Sequence, residues 1–180
     1  MINDYEATQP MTTDAVPIST STVANDDVVA TLNGLIQTCK DGEEGFRQAA
    51  EGVNVPNLKT LFLDLSHQRL RFSVDLQNLV RSFGGDPEFT GTFSGALHRG
   101  WMDIKTAVTG NDQKAILSEC ERGEDMAKKN YEAAFETAMP PAVIEVLRTQ
   151  FASVRAAHDQ IKMLRDADNN TSANTARTGY

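Results

Sequence analysis

Six acidic or imidazole side chains could hold a metal ion if the segments that carry them are long helices. They lie in four separate segments and are Glu43, Asp64, His67, Glu121, Glu124 and His158. Carboxylate oxygens and imidazole nitrogens are ligands for iron and other divalent cations. A di-metal site in a helix bundle takes one glutamate from each of two helices and a Glu-x-x-His pair from each of the other two, because positions i and i+3 share a helix face.

That motif is only partly present in this chain. Residues 64–67 (DLSH) carry the shorter acid, and residues 155–158 (RAAH) carry an arginine where the acid belongs. The guanidinium of Arg155 would repel a cation. At about 100° per residue, Glu43 and Glu124 face the apolar side of their helices, and His158 lies at its edge.

The candidate metal ligands are therefore Glu43, Asp64, Glu124 and His158, which fall at one height when the helices are aligned. Asp64 has a borderline orientation on its helix, and His67 points away from the main apolar stripe, so its role as a ligand or a packing residue stays open. The cofactor implied is iron, in a di-metal or single-metal site, or none.

Arg69 offers an explanation that needs no metal. It lies on the inner side of its helix, little more than one turn from the same layer. A buried ion pair between Arg69 and either Glu43 or Glu124 would fix the helix register without adding stability. The polar layer then has three readings: an ion pair, a degenerate or single-metal site, and a working di-metal centre.

Four long helices must position these side chains. Apolar residues recur at steps of three and four, which predicts helices over residues 26–53, 57–83, 112–139 and 141–166. Residues 25–27 (NDD) predict a helix start, residues 84–87 (GGDP) a helix end, and the two prolines at 140–141 a break.

Short links make antiparallel hairpins of the first two and the last two helices. The long link between the hairpins carries a predicted short helix over residues 96–108 and has room to run the length of the bundle. The fold class predicted is therefore all-α, a ferritin-like four-helix bundle with one long crossover. Residues 1–25 and 168–180 read as disordered tails around a bundle over residues 26–167.

Composition limits the classes of partner. The net charge of −8 and the sequence pI of about 4.8 argue against nucleic acid and anionic membranes, which favour clustered Lys and Arg. No stretch approaches 18 consecutive apolar residues, and the amino terminus lacks a signal-peptide pattern. Cys39 and Cys120 lie on apolar helix faces and read as reduced core thiols of a cytoplasmic protein.

The second helix has an additional apolar stripe, Leu63, Leu70 and Val74, on the side away from the main one. A helix with two apolar sides usually has a cover for the second, so either Trp101 of the crossover or a second subunit is expected there. His98, Arg99 and Trp101 are also a candidate contact for a protein partner, or else they anchor and solvate the crossover.

Several segments resemble an uncharacterised bacterial family of ferritin-like four-helix-bundle proteins. They are LNGLIQTCKDGEEGF, LFLDLSHQRLRF, GALHRGWMDIK, ILSECERGED and AAHDQIK, and the resemblance extends over roughly residues 26–166. The resemblance implies a cytoplasmic bacterial protein with this bundle, an association with stress physiology, and no assigned catalytic residues. Residues and resemblance together favour a non-catalytic, homo-oligomeric bundle with a degenerate metal layer. The alternative is an iron-binding protein or di-iron oxidoreductase.

Overall fold

The computed structural model describes residues 20–87, 104–110 and 112–178, and none of these residues lies in a β-strand. The helices of this part of the chain are α1 Thr20–Gly52, α2 Pro56–Ser82, α3 Ile104–Thr109, α4 Gln113–Ala134 and α5 Pro141–Thr178. The predicted all-α fold class is confirmed. A search of the same residues finds no helix that combines the length and the apolar character needed to cross a membrane.

The helix ends follow the stop and start signals of the sequence. Helix α2 closes with two hydrogen bonds of 3.0 Å, in which Gly84 donates to the Arg81 carbonyl and Gly85 donates to the Val80 carbonyl. This Schellman arrangement needs a left-handed residue, and Gly84 has φ +76°. At the start of α4, the Asp112 carboxylate accepts a 3.1 Å hydrogen bond from the amide of Ala115.

Three helix ends differ from the predicted ones. Helix α1 begins at Thr20 instead of residue 26, and α5 continues to Thr178 instead of ending at residue 166, so parts of both predicted tails are helical. Residues 20–26 and 166–178 contain no glycine or proline, and the Asn and Asp side chains there favour a cap without enforcing one. Helix α4 ends at Ala134 instead of residue 139. Pro140 has no N–H to bond to the Glu136 carbonyl, and its ring clashes with that carbonyl, so the helix has to end before it.

Contacts between side chains give the helix directions. Helices α1 and α2 are joined by the three residues 53–55 and pack as an antiparallel hairpin. Thr38 of α1 accepts a 3.0 Å hydrogen bond from Asn130 of α4, and Gly52, at the end of α1, lies against Ile116 near the start of α4. Helices α1 and α4 are therefore also antiparallel, which makes α2 and α4 run in the same direction.

The connection between α2 and α4 must then return along the length of the molecule. Asn33, in the half of α1 far from the α1–α2 turn, donates to the carbonyl of Asp86, which follows α2. Val108 of α3 lies against Gly52, beside the α1–α2 turn. Helix α3 packs on α1 and α4. Residues 96–103 of the predicted short helix, including His98, Arg99 and Trp101, lie outside the described residues.

The buried apolar side chains form two clusters, one toward each end of the molecule. The cluster near the α1–α2 turn includes Phe46, Leu58, Phe62, Ile116 and Ile161. The other includes Leu32, Leu35, Leu76, Tyr131 and Leu147. Each of the four long helices contributes to both clusters, and in each the change from one cluster to the other falls near the middle. The buried side chains of Arg69 and Glu124 lie at this boundary.

Close packing at the end of α1 leads to a stability prediction. A Cβ atom on Gly52 would lie 2.6 Å from Val108 and 2.9 Å from Ile116, whereas a Cβ atom on Gly34, in the middle of α1, would have no neighbour within 4 Å. We expect Gly52→Ala to lower the free energy of unfolding by about 1–3 kcal/mol through overpacking. The matched variant Gly34→Ala should raise it by about 0.5–1 kcal/mol through helix propensity. Urea denaturation of both variants measures the two effects, and equal shifts would contradict this packing.

Candidate functional site

A buried ion pair between α2 and α4 lies at the boundary of the two apolar clusters. One nitrogen of the Arg69 guanidinium, Nη2, donates to both carboxylate oxygens of Glu124, at 2.7 Å each. The side chains are 2% and 0% exposed. A buried charge needs a partner, and each group supplies the other's. Of the two pairings that the sequence suggests for Arg69, the one with Glu124 is confirmed.

The surroundings of Arg69 are shaped to its side chain. Gly42 of α1 gives it room, since a Cβ atom there would lie 3.3 Å from the Arg69 Cγ atom. The guanidinium carbon lies 5.9 Å from the centre of the Phe46 ring and 5.6 Å from that of Phe72, within range of cation–π attraction. Arg69 Nη1 also donates to the side chain of Gln68 at 3.0 Å. The pocket therefore fits an arginine in shape as well as in charge.

Burial and pairing act in opposite directions on the two groups. Burial raises the pKa of the Glu124 carboxyl, and Arg69 only partly offsets that rise. Burial lowers the pKa of the Arg69 guanidinium, but the Coulomb attraction and hydrogen bonds of Glu124 outweigh it and leave that pKa raised. Arg69 therefore stays charged, and its charge depends on Glu124.

A separate chain of hydrogen bonds lies within the apolar cluster that contains Leu32 and Leu147. The Tyr131 hydroxyl donates to the Gln150 side-chain oxygen at 2.8 Å and lies 3.5 Å from the sulfur of Cys39. The Gln150 amide reaches the carbonyl of Phe72 at 3.4 Å. These contacts connect α1, α2, α4 and α5 through polar atoms inside the protein.

Both cysteines are free and buried, as the sequence predicts. Burial raises the pKa of the Cys39 thiol to about 11, although the hydrogen bond with Tyr131 lowers it slightly. Burial also raises the pKa of the Cys120 thiol well above its ordinary value. A thiol reacts as its thiolate, so both groups are unreactive at neutral pH.

A second polar cluster, the edge cluster, lies between α4 and α5. It contains Glu121, Asp125, His158, Asp159, Arg165 and Asp166. Glu121 and Asp125 are one turn apart on α4, and His158 of α5 faces them, with ligand atoms of all three within 4.8 Å of one another. The His158 ring contacts two carboxylates: Nε2 lies 3.1 Å from Asp125, and Nδ1 lies 2.9 Å from Asp159. Glu121 and His158 are buried, and Asp125 is half-exposed.

Arg165 of α5 pairs with Glu121 in this cluster. The same guanidinium also holds Asp166, at 3.0 Å through Nε and at 2.7 Å through Nη2. The hydrogen bond to His158 is the main cause that lowers the pKa of the Asp159 carboxyl. The cluster therefore combines four acids, one imidazole and one arginine, and it is open to solvent on one side.

The four ligands that the sequence predicts have different surroundings in the structure. Glu124 is held by Arg69, and His158 joins the edge cluster. Glu43 is half-buried, with its backbone carbonyl accepting a 2.9 Å hydrogen bond from Ser66, and Asp64 is exposed, as is His67. Among the described residues, the group with ligand atoms close together is Glu121, Asp125 and His158, which includes neither Glu43 nor Asp64.

Asp125 and Asp159 are members of the edge cluster that sequence reasoning missed. The available signal was the spacing of Glu121 and Asp125, since positions i and i+4 share a helix face. Arg155, expected to repel a metal, lies instead on the surface, with its guanidinium carbon 6.0 Å from the centre of the Phe151 ring.

The ion pair leads to a prediction about stability. We expect Glu124→Gln to lower the free energy of unfolding by about 3–5 kcal/mol, because it leaves the Arg69 charge buried without a counter-charge. Replacing both residues with apolar ones of similar size, in Arg69→Met/Glu124→Leu, should recover most of that loss. Chemical denaturation measures both variants. A double variant as unstable as the single one would show that the site does not tolerate an apolar pair.

The buried thiols lead to a second prediction. In the native chain, neither Cys39 nor Cys120 should react with 5,5′-dithiobis(2-nitrobenzoic acid) at mildly alkaline pH, because both pKa values are raised and both side chains are buried. Both should react once guanidinium unfolds the protein. Absorbance of the released thiolate measures the reaction, and rapid labelling of the native protein would contradict the packing around these residues.

Comparison with known protein families gives a match over most of the helical part of the chain. The matching family model is a domain of unknown function, DUF2383, and it covers residues 27–137. This range contains Gly42, Arg69 and Glu124 but not His158. A comparison with curated proteins gives no match. Since the model spans more than half of the 180 residues, the chain belongs to the DUF2383 family of unknown function.

Proposed function

We propose that this protein is a non-catalytic scaffold that works by association with a second copy of itself. The observation that carries the proposal is an apolar stripe on the outer face of α2. Leu63, Leu70 and Val74 are 37%, 44% and 45% exposed. Their spacing of seven and four residues puts them on one side of the helix. A row of exposed apolar side chains on one helix face is a candidate interaction site.

The stripe suits a symmetric partner. In an antiparallel pairing of α2 with its copy, Leu63 of each chain lies opposite Val74 of the other, and Leu70 lies opposite His67. The same patch then contacts itself, as a two-fold interface requires. Asp64, Arg71 and Asp75 are exposed on the same helix and provide charges of both signs. A second copy is therefore an occupant whose chemistry fits the stripe.

The proposal includes a ferritin-like four-helix bundle with a degenerate metal layer. In support of the topology, α2 and α4 run in the same direction and the connection between them returns along the molecule. In support of the degenerate layer, Arg69 and Glu124 fill the mid-height position between α2 and α4 with an ion pair. A guanidinium held by two 2.7 Å hydrogen bonds leaves the Glu124 oxygens engaged.

The iron-binding or di-iron oxidoreductase alternative stays a prediction from the sequence. It requires Glu43, Asp64, Glu124 and His158 to converge on iron, and the described side chains give it no such group. A protein contact through His98, Arg99 and Trp101 and the association with stress physiology also stay predictions. The first concerns residues outside the described ranges, and the second comes from family resemblance alone.

The association leads to a prediction about oligomeric state. We expect the full chain to sediment as a dimer, and Leu70→Glu to raise the dimer dissociation constant about tenfold to a hundredfold, because it introduces a charge into the apolar interface. The matched control is Met163→Glu on α5, where the replaced side chain is 66% exposed and lies on another helix. This control should leave the dissociation constant unchanged.

Analytical ultracentrifugation over a range of protein concentrations makes the measurement. Circular dichroism of each variant checks that the helices are retained. A wild-type chain that stays monomeric throughout, or a dimer that Met163→Glu disrupts as much as Leu70→Glu does, would overturn the proposed association.

A further inference from the structure

We propose that Glu121, Asp125 and His158 form a binding site for one divalent transition-metal cation, which would join α4 to α5. The inference does not depend on the association proposed above and goes beyond it. It concerns the edge cluster and not the buried Arg69–Glu124 layer. Its starting point is that one ligand atom from each of the three residues lies within 4.8 Å of the other two.

The backbone brings these ligands together from two helices. Glu121 and Asp125 are separated by one helical turn and share a face of α4. His158 is on the antiparallel helix α5, and its Nε2 is already 3.1 Å from the Asp125 carboxylate. Ligand atoms around a cation bound at 2.0–2.2 Å lie about 3.0–3.5 Å apart. Small side-chain rotations are therefore enough to close the site around an ion.

The contacts of His158 place its ring between carboxylates of both helices. A neutral imidazole has one N–H group and one bare nitrogen. Here both ring nitrogens face carboxylate oxygens, Nδ1 toward Asp159 at 2.9 Å and Nε2 toward Asp125 at 3.1 Å. If Nδ1–H donates to Asp159, then a lone pair on Nε2 faces a carboxylate oxygen. Lys128 Nζ lies 3.8 Å from the same Asp125 oxygen, and a metal ion bound between His158 and Asp125 would take the place of that cation.

Asp159 is placed to act as a positioning residue for the histidine. A histidine that binds a metal usually donates its other N–H to a carboxylate, which fixes the tautomer and the ring orientation. The 2.9 Å contact between Nδ1 and Asp159 has this form. The His158 side chain is only 8% exposed, so packing restricts the ring as well. Nε2 is thus directed at Asp125 before any ion arrives.

Arg165 sets the affinity of the site. Its Nη1 pairs with Glu121, so a cation must displace this contact. The same guanidinium holds Asp166 through Nε and Nη2, and those two hydrogen bonds can persist when Glu121 turns to a metal. Arg165 therefore competes with the cation for one carboxylate without blocking the site.

The ligand types indicate the class of cation. One imidazole nitrogen and two carboxylates suit zinc, manganese or ferrous iron, and no thiolate is present to favour copper(I). Calcium and magnesium prefer sites made wholly of oxygen atoms. The half-exposed position of Asp125 leaves solvent access, so water can complete the coordination.

The test is calorimetric titration of the full chain with Zn²⁺. We expect one site per chain, and each of Asp125→Asn and His158→Gln should weaken binding at least tenfold. Arg165→Gln should tighten binding, because it frees Glu121. The double variant Glu43→Gln/Asp64→Asn is the matched control and should bind like the wild type, since these residues lie outside the cluster.

A second measurement keeps the proposal testable if His158→Gln fails to fold. Asp159 is exposed and touches His158 without belonging to the ligand set, so Asp159→Asn should fold normally. It should weaken Zn²⁺ binding about tenfold to a hundredfold. With Co²⁺ as the probe, the visible absorption band should show nitrogen ligation that both Asp159→Asn and Asp125→Asn alter.

Two results would overturn the inference. One is the absence of saturable Zn²⁺ binding in both the wild type and Arg165→Gln, which would leave the edge cluster as a set of ion pairs and hydrogen bonds without a metal. The other is binding that Asp125→Asn and Asp159→Asn leave unchanged while circular dichroism shows intact helices.

Discussion

The ion pair between Arg69 and Glu124 is the constraint on which the arrangement of the helices depends. The inner faces of the long helices are mainly apolar, and the buried charges of Arg69 and Glu124 lie near the middle of α2 and α4, where the two clusters meet. A buried guanidinium is tolerated only opposite its carboxylate, so a shift of α2 past α4 by one turn, about 5.4 Å, would place a charge inside an apolar cluster. The pair thus selects one register, although burying two charges adds little net stability.

The sequence predicts the elements of this fold better than it predicts their ends or their polar contacts. Glycine at 84 and proline at 141 have local effects on the backbone that do not depend on packing, and both helix boundaries are where the sequence places them. The start at Thr20 was missed, because a capping residue is a weak preference that an uninterrupted helix overrides. Arg69 was recognised as a partner for a carboxylate, but choosing Glu124 over Glu43 needs the helix separations, which periodicity does not contain.

The edge cluster shows why a candidate site is harder to predict than a core. Glu124 and Asp125 are neighbours in sequence, yet a rotation of about 100° puts one in the dry interior and the other beside α5. For Glu124, burial raises the pKa of the carboxyl and Arg69 partly offsets the rise. Asp125 lies 3.1 Å from the His158 ring and 3.8 Å from Lys128 Nζ, at the surface between the two helices. Whether a carboxylate joins a core pair or an edge cluster is therefore set by how α4 is rotated, and a helical wheel fixes that only to within a residue.

The same reasoning links the interior of α2 to its surface. Arg69 anchors the rotation of α2, because its guanidinium must reach Glu124 between the rings of Phe46 and Phe72. Leu63, Leu70 and Val74 lie about 100–140° around the helix from Arg69, so the anchor turns all three away from the core. The ion pair and the main apolar face of α2, with Phe62 and Leu76 fully buried, therefore agree on one orientation of the helix. In that orientation the charge that lies inside the protein and the apolar stripe on its surface belong to opposite sides of α2.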